Sequence, residues 1–214
     1  MVSVIDEILP HPVVTVETRE ILVDIELFPP EAAAVARAVD KRKHEFTTVR
    51  ACAREALAKL GRPAVPILPG LRGAPGWPDG IVGSMTHCDG YRAAALAERT
   101  DVTTIGIDAE PHAALPEGVF GVISLPSERA TVAELTAADP SVHWDRLLFC
   151  AKESVYKAWF PLTERFLNFE EAAIELRRGG TFTAKILVEG PPNGFEGRWL
   201  VSDGILLTTI AVPA

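Results

Sequence analysis

The chain has 214 residues, 48% of them hydrophobic and 23% charged. That length suits one domain or two small ones with a self-sufficient core, and that composition excludes general disorder. Lys+Arg is 21 and Asp+Glu is 29, and the resulting charge of −8 argues against nucleic acid or an anionic membrane as partner.

The first 26 residues hold six acids and one Arg, so they lack the basic start and apolar run of a secretory signal. No stretch approaches the 18 apolar residues of a membrane span. Cys52, Cys88 and Cys150 are odd in number and form no CxxC pair, which points to reduced thiols in a cytoplasmic protein. Pro29-Pro30-Glu31 then opens a helical stretch over 32–60, with a break expected near 38–40 and a stop at Gly61 and Pro63. Prolines and glycines crowd 61–80 into a loop. Strands are expected at 81–86, 91–97 and 103–110, with Asp89-Gly90 turning between the first two. A short helix is expected at 127–135 and a strong one at 144–159, stopped by Pro161. Strands follow near 172–176, 181–188, 197–201 and 205–212, the last preceded by Asp203-Gly204.

Each half thus has one good helix, then a meander with an Asp-Gly turn before an apolar strand. The pattern predicts an α+β protein of two similar halves, 1–110 and 111–214, with a site between them.

Four features could carry chemistry. In Gly106-Ile107-Asp108-Ala109-Glu110, strand alternation puts Asp108 and Glu110 on one face and Ile105 and Ile107 on the other. Two carboxylates so placed repel unless a cation lies between them, and hard oxygens suit Mg²⁺; the plainer alternative is an exposed strand end. In the helix over 144–159, Arg146, Glu153 and Lys157 share a narrow polar stripe between apolar residues. That stripe either lines a cleft or is an exposed i,i+4 pair. Residues 31–60 carry seven Lys/Arg against four acids, with Arg42 and Arg50 roughly on one helix face, a pattern that suits either a phosphorylated ligand or solvent. Gly83-Ser84-Met85-Thr86-His87-Cys88 ends a strand with a His among hydroxyls, and either holds a phosphate or turns the chain.

Taken in order, these features resemble the 4'-phosphopantetheinyl transferase superfamily. The likeness rests on Gly106-Ile107-Asp108-Ala109-Glu110, on Phe149-Cys150-Ala151-Lys152-Glu153-Ser154-Val155-Tyr156-Lys157, and on Ser84-Met85-Thr86-His87. The length resembles the surfactin-type and enterobactin-type members, whose two similar halves form one pseudodimer, so a monomer is expected. The resemblance implies transfer of 4'-phosphopantetheine from coenzyme A to a serine of an acyl or peptidyl carrier protein, in fatty-acid, polyketide or nonribosomal peptide synthesis. It implies Mg²⁺ held by Asp108, Glu110 and Glu153, with the Ala109 carbonyl nearby. Asp108, Glu153 and Lys157 would be catalytic, Glu153 as metal ligand or as base for the serine. Lys152 and Lys157 would hold the pyrophosphate, and Arg42, Arg50, Thr86 and His87 the nucleotide end. Pro69 and Ala74 stand where related actinobacterial members carry Lys and Glu, and Arg72 is expected to supply the missing cation. The alternatives are a non-catalytic coenzyme A-binding protein and a Mg²⁺-dependent phosphohydrolase. Leu115, Val119, Phe120, Val122, Ile123 and Leu125, between the two main motifs, are expected either to dock the carrier or to pack beneath their own loop.

Overall fold

The computed structural model describes residues 3–214. A 3-10 turn (Val4–Ile8) leads into strand β1 (Val14–Thr18), neither of which the periodicity revealed. Pro29 and Pro30 open α1 (Pro29–Ala34), where Glu31 at the third position accepts the Phe28 N–H at 3.1 Å. Residues 35–39 make the expected break before α2 (Asp40–Lys59). Strands β2 (Ile81–Cys88), β3 (Tyr91–Glu98) and β4 (Val102–Pro111) follow the Pro/Gly loop. Two helices, α3 (Val119–Ile123) and α4 (Pro126–Ala138), cross to α5 (Trp144–Thr163), and β5 (Ala172–Arg177), β6 (Thr181–Ile186), β7 (Gly194–Ser202) and β8 (Ile205–Pro213) complete the chain. Pro161 does not stop α5. A proline in the last turn forfeits only the bond its N–H would give to the Lys157 carbonyl, and the helix runs on to Glu164, whose φ is 53°.

The strands form two antiparallel sheets, β1-β3-β2 and β4-β8-β7-β6-β5. Strand β4 pairs with β8, so the division expected at residue 110 separates it from the sheet in which it lies. The hairpins β2–β3 and β7–β8 turn through the two Asp-Gly pairs. At the second, Asp203 and Gly204 both have positive φ, as a type I′ turn demands.

The sheets meet where β2 runs beside β4, joined by side chains in place of a main-chain ladder. Ser84 Oγ accepts the Ile107 N–H at 3.1 Å and Thr86 Oγ1 accepts the Ala109 N–H at 3.0 Å. One apolar cluster lies between α5 and the large sheet, around Trp144, Trp159 and Phe182. Another fills the space between the sheets, around Tyr91, Ile105, Ile107 and Leu207. A third lies between α2 and the small sheet, around Leu57, Ile81 and Leu96.

Candidate active site

Helix α5 lies directly on β4. A Cβ on Gly106 would stand 2.0 Å from the Ser154 carbonyl oxygen, so only glycine admits this approach. Thr104 Oγ1 adds a bond to the Ala158 carbonyl at 2.8 Å. The contact sets Glu153 and Lys157 beside the end of β4. Ile105 and Ile107 point into the core as strand alternation requires, and Asp108 points the other way.

Asp108 is not a surface acid, being only 5% exposed. Its Oδ1 accepts from Lys157 Nζ at 2.7 Å and from Thr86 Oγ1 at 3.1 Å, while Oδ2 is buried with no partner. Lys157 also donates to the Ile107 carbonyl at 3.1 Å. Burial works against the charge on Lys157, yet Asp108 and Glu153 hold its ammonium above the usual lysine range. Burial, and then the charge on Asp108, push the Glu110 and Glu153 carboxyls up; Arg146, bonded to Glu110 at 2.9 Å, opposes this.

These groups occupy one wall of a cleft of about 1050 Å³. The cleft is also lined by Arg42 and His87, whose guanidinium and Nε2 lie 2.6 Å apart, with Glu45 at 4.0 Å from the same ring nitrogen. Burial lowers the His87 pKa, so the neutral ring accepts from Arg42. The Pro/Gly loop forms the rim. Arg72 there has a φ of 53° and stacks its guanidinium 4.8 Å from the Phe166 ring centre, across the cleft mouth. Phe166 in turn packs on Tyr156 at 5.5 Å, and Tyr156 separates the cleft from a second hollow of about 480 Å³.

Asp108, Glu110, Glu153, Lys157, Arg42, Arg50, Arg72, Thr86 and His87 line one space. Arg50 and Thr86, although they line the cleft, and Lys152, which does not, have polar groups committed to other protein partners. Arg50 is 5% exposed, donates to the Ile67 and Phe46 carbonyls, stacks on Phe46 and lies 3.7 Å from buried Glu31. Burial pushes it down to about 10. It fastens the Pro/Gly loop to α2 while lining the cleft. Thr86 has its hydroxyl committed between Asp108 and the Ala109 N–H, so it positions the acid. Lys152 points away from the cleft. Its Nζ meets Glu128 at 3.0 Å and the Phe169 and Ala172 carbonyls at 2.7 and 2.8 Å, with both charged side chains 2% exposed. The lysine–glutamate dipeptide repeats no helical face, since adjacent residues on a helix point about 100° apart, and that geometry sends Lys152 inward.

Among the described residues, no three carboxylate, histidine or cysteine side chains are drawn together into a metal-holding group. The three acids of the wall therefore do not converge on one point as a finished Mg²⁺ site would require. The donor set nevertheless fits such an ion. It consists of oxygens, one of them buried and orphaned, and two of its carboxyls are raised by burial and then by the charge on Asp108, which a divalent cation would offset. A residue in an antiparallel pair sends its N–H and C=O to the same side, so the Ala109 carbonyl faces the β2 side, as its N–H does.

The sequence pattern did not reveal Glu45, Glu128 or the partner of Arg146. For Glu128 the signal was Pro126 two residues earlier, the start of a Pro-led helix with Glu third. In the segment expected to dock a partner or to pack, Ile123 is buried and Leu115, Val119 and Phe120 pack on the α5 core; Val122 alone is largely exposed, at 76%. No helix among the described residues is long and apolar enough to cross a membrane.

Comparison with known proteins agrees with this arrangement. The 4'-phosphopantetheinyl transferase N-terminal domain matches residues 30–97, and the 4'-phosphopantetheinyl transferase superfamily domain matches 104–208. The 4'-phosphopantetheinyl transferase Svp of Streptomyces mobaraensis is 60% identical over 195 residues, covering 88% of this chain and 79% of that protein. The 4'-phosphopantetheinyl transferase Npt of Nocardia iowensis is 51% identical over 222 residues, covering 97% and 99%. The 4'-phosphopantetheinyl transferase PptT of Mycobacterium tuberculosis is 51% identical over 195 residues, covering 86% and 85%. The two domain matches meet just ahead of β4, where the sheets also divide, and the chain belongs to the 4'-phosphopantetheinyl transferase superfamily, as an enzyme of that class.

Proposed function

We propose that this chain transfers 4'-phosphopantetheine from coenzyme A to a serine hydroxyl of an acyl or peptidyl carrier protein, with Mg²⁺ at the Asp108 wall. The observation that carries the reading is the orphaned Asp108 Oδ2, beside Lys157 and two raised carboxyls, in a cleft that Arg42 and Arg72 also line. Arg42, with neutral His87, suits the 3'-phosphate, and Arg72 suits a phosphate at the rim. Asp108 and Glu110, with the Ala109 carbonyl nearby, would hold the cation, which when bound supplies charge neutralisation at the pyrophosphate.

Glu153, with its raised carboxyl, is suited to take a proton at physiological pH once ionised. It accepts the proton of the carrier serine. The serine oxygen then bonds to the phosphorus that bears the pantetheine, the bridging P–O bond breaks, and adenosine 3',5'-bisphosphate leaves. Lys157, held charged by Asp108, stabilises the negative charge gathering on the leaving phosphate. Such transfers depend on positioning and electrostatics, which rigid attachment of α5 to β4 provides.

Mass spectrometry of an apo carrier protein, incubated with the chain, coenzyme A and Mg²⁺, tests this. One added phosphopantetheine per carrier is expected. Release of nucleotide from coenzyme A without any carrier would favour the phosphohydrolase instead, and a bound but unconsumed coenzyme A the non-catalytic binder.

A further inference from the structure

Arg146 stands in the first turns of α5, two turns ahead of Glu153, and three acceptors surround its guanidinium. One amino group donates to Glu110 Oε2 at 2.9 Å, the other to the Ala114 carbonyl at 2.8 Å, and Nε to the Ala113 carbonyl at 3.1 Å. Its neighbour Asp145 accepts the Leu115 N–H at 2.9 Å. The main chain leaving β4 is thus tied to α5 by three hydrogen bonds, and the same planar group that makes two of them also grips the carboxylate at the strand end. Both side chains of the ion pair are mostly buried, at 16% and 19% exposed. A guanidinium is rigid and planar, so fixing two of its nitrogens on carbonyls fixes the third. Glu110 Oε2 is consequently held in one place, while Oε1 has no hydrogen bond among the described residues.

We propose that Arg146 is a positioning residue that presents Glu110 Oε1 to the divalent cation. The proposal rests on the reading that Glu110 helps to hold that cation. Coulomb's law alone gives the opposite expectation. Removing a positive charge next to a cation site strengthens cation binding, whereas removing the group that orients a ligand carboxylate weakens it. The sign of the change therefore separates positioning from simple charge.

The test uses the intact chain with coenzyme A and Mn²⁺ as a paramagnetic probe, reading free Mn²⁺ by electron paramagnetic resonance. Arg146→Gln should bind Mn²⁺ about 10-fold more weakly or worse, and the Mg²⁺ concentration for half-maximal transfer should rise in parallel. Arg146→Lys keeps the charge but cannot span all three acceptors, so it should fall between the two. Unchanged or tighter Mn²⁺ binding by Arg146→Gln overturns the proposal, even if that variant melts earlier. Should Arg146→Gln not fold, wild-type Mn²⁺ affinity in Arg146→Lys overturns it. Failure of the unaltered chain to bind Mn²⁺ would instead remove the cation reading itself, and the proposal with it.

Discussion

Helices α2 and α5 carry one six-residue pattern in two settings. Arg54-Glu55-Ala56-Leu57-Ala58-Lys59 closes α2, and Lys152-Glu153-Ser154-Val155-Tyr156-Lys157 lies within α5. Their contacts run parallel. Lys59 Nζ donates to the Thr15 carbonyl of β1 at 3.3 Å, as Lys157 Nζ does to the Ile107 carbonyl of β4. Arg54 and Lys152 each bind a buried glutamate, Glu31 and Glu128, the third helical residue of α1 and of α4. Each glutamate also accepts a distant main-chain N–H, from Ile67 or from Ile174. With the lysine contacts superposed, Val16 stands where Asp108 stands and Thr18 where Glu110 stands. The acid of β1, Glu17, faces the other way and is occupied by the Val4 and Ile5 N–H groups and the Tyr91 hydroxyl. The scaffold is repeated, then, and the two copies differ at two strand positions, Asp108 and Glu110 against Val16 and Thr18. Glu55 and Lys59 keep the helical pattern, but Glu55 meets only Lys59 and solvent, and the two side chains are 62% and 50% exposed.

The largest expected effect breaks the active copy. Asp108→Ala should reduce transfer at least about 1000-fold, the scale of several kcal/mol of lost electrostatic stabilisation. Lys59→Ala, in the silent copy, should leave the rate within about twofold. Transfer by Asp108→Ala within tenfold of the unaltered rate would show that the strand acid does not distinguish the copies.

The buried glutamates come next. Removing one partner of a buried pair costs about 3–5 kcal/mol, which for a chain of this size lowers the melting midpoint by about 6–20 °C. Glu31→Gln and Glu128→Gln should be alike in melting. Only Glu128→Gln should also slow transfer well below its midpoint, because Lys152 precedes Glu153 on one helix. Equal loss of transfer in both variants would deny α5 its separate role.

Much of this was legible in the sequence, and the exceptions share a cause. Helix and strand periodicity located α2, α5 and the strands from β2 onward, because each buries a regular face. It missed β1, whose five residues carry too short a pattern. Asp108, Glu110, Glu153 and Lys157 were readable because two carboxylates on a strand face and a charged stripe in an apolar helix are costly without a function. Arg50, Thr86 and Lys152 were readable as polar residues near the motifs, but not as spent ones. Their partners lie 17 to 24 residues away or more: Ile67 for Arg50, Asp108 and Ala109 for Thr86, Glu128 for Lys152. No local pattern reports such a pairing.

A smaller effect sharpens the packing side of the comparison. Val14 stands where Gly106 stands, so α2 leaves room for a side chain that α5 does not. Gly106→Ala drives a methyl into the Ser154 carbonyl and should cost about 3 kcal/mol, whereas Val14→Ala trims a half-buried side chain and should cost about 1 kcal/mol. Calorimetric midpoints decide this, and equal losses would mean that α5 can lift from β4 without penalty.

The smallest effect is a pH dependence confined to the active copy. Burial and Asp108 raise the Glu110 and Glu153 carboxyls in the folded state above their unfolded values. A group raised on folding contributes stability that is fully present below its unfolded pKa and is lost as pH rises through the folded one. As pH rises from the ordinary carboxylate range through their raised folded-state values, these two acids therefore weaken the metal-free fold as they ionise. Burial depresses His87 and works in the opposite direction, because the unfolded imidazole takes up a proton that the folded one refuses. The total slope thus mixes two signs, and the informative quantity is a difference. Glu153→Gln removes one raised carboxyl and leaves His87 in place. Its melting midpoint, relative to the unaltered chain, should improve as pH rises from the ordinary carboxylate range and level off once Glu153 has ionised in the unaltered fold. Mg²⁺ relieves the same repulsion, so it should raise the midpoint of the unaltered chain more at pH 8 than at pH 5, by a margin that Glu153→Gln shrinks. A difference between the two chains that stays flat across this range would mean that the folded protein does not strain Glu153, and the wall would then lack the charge repulsion that makes it fit a cation.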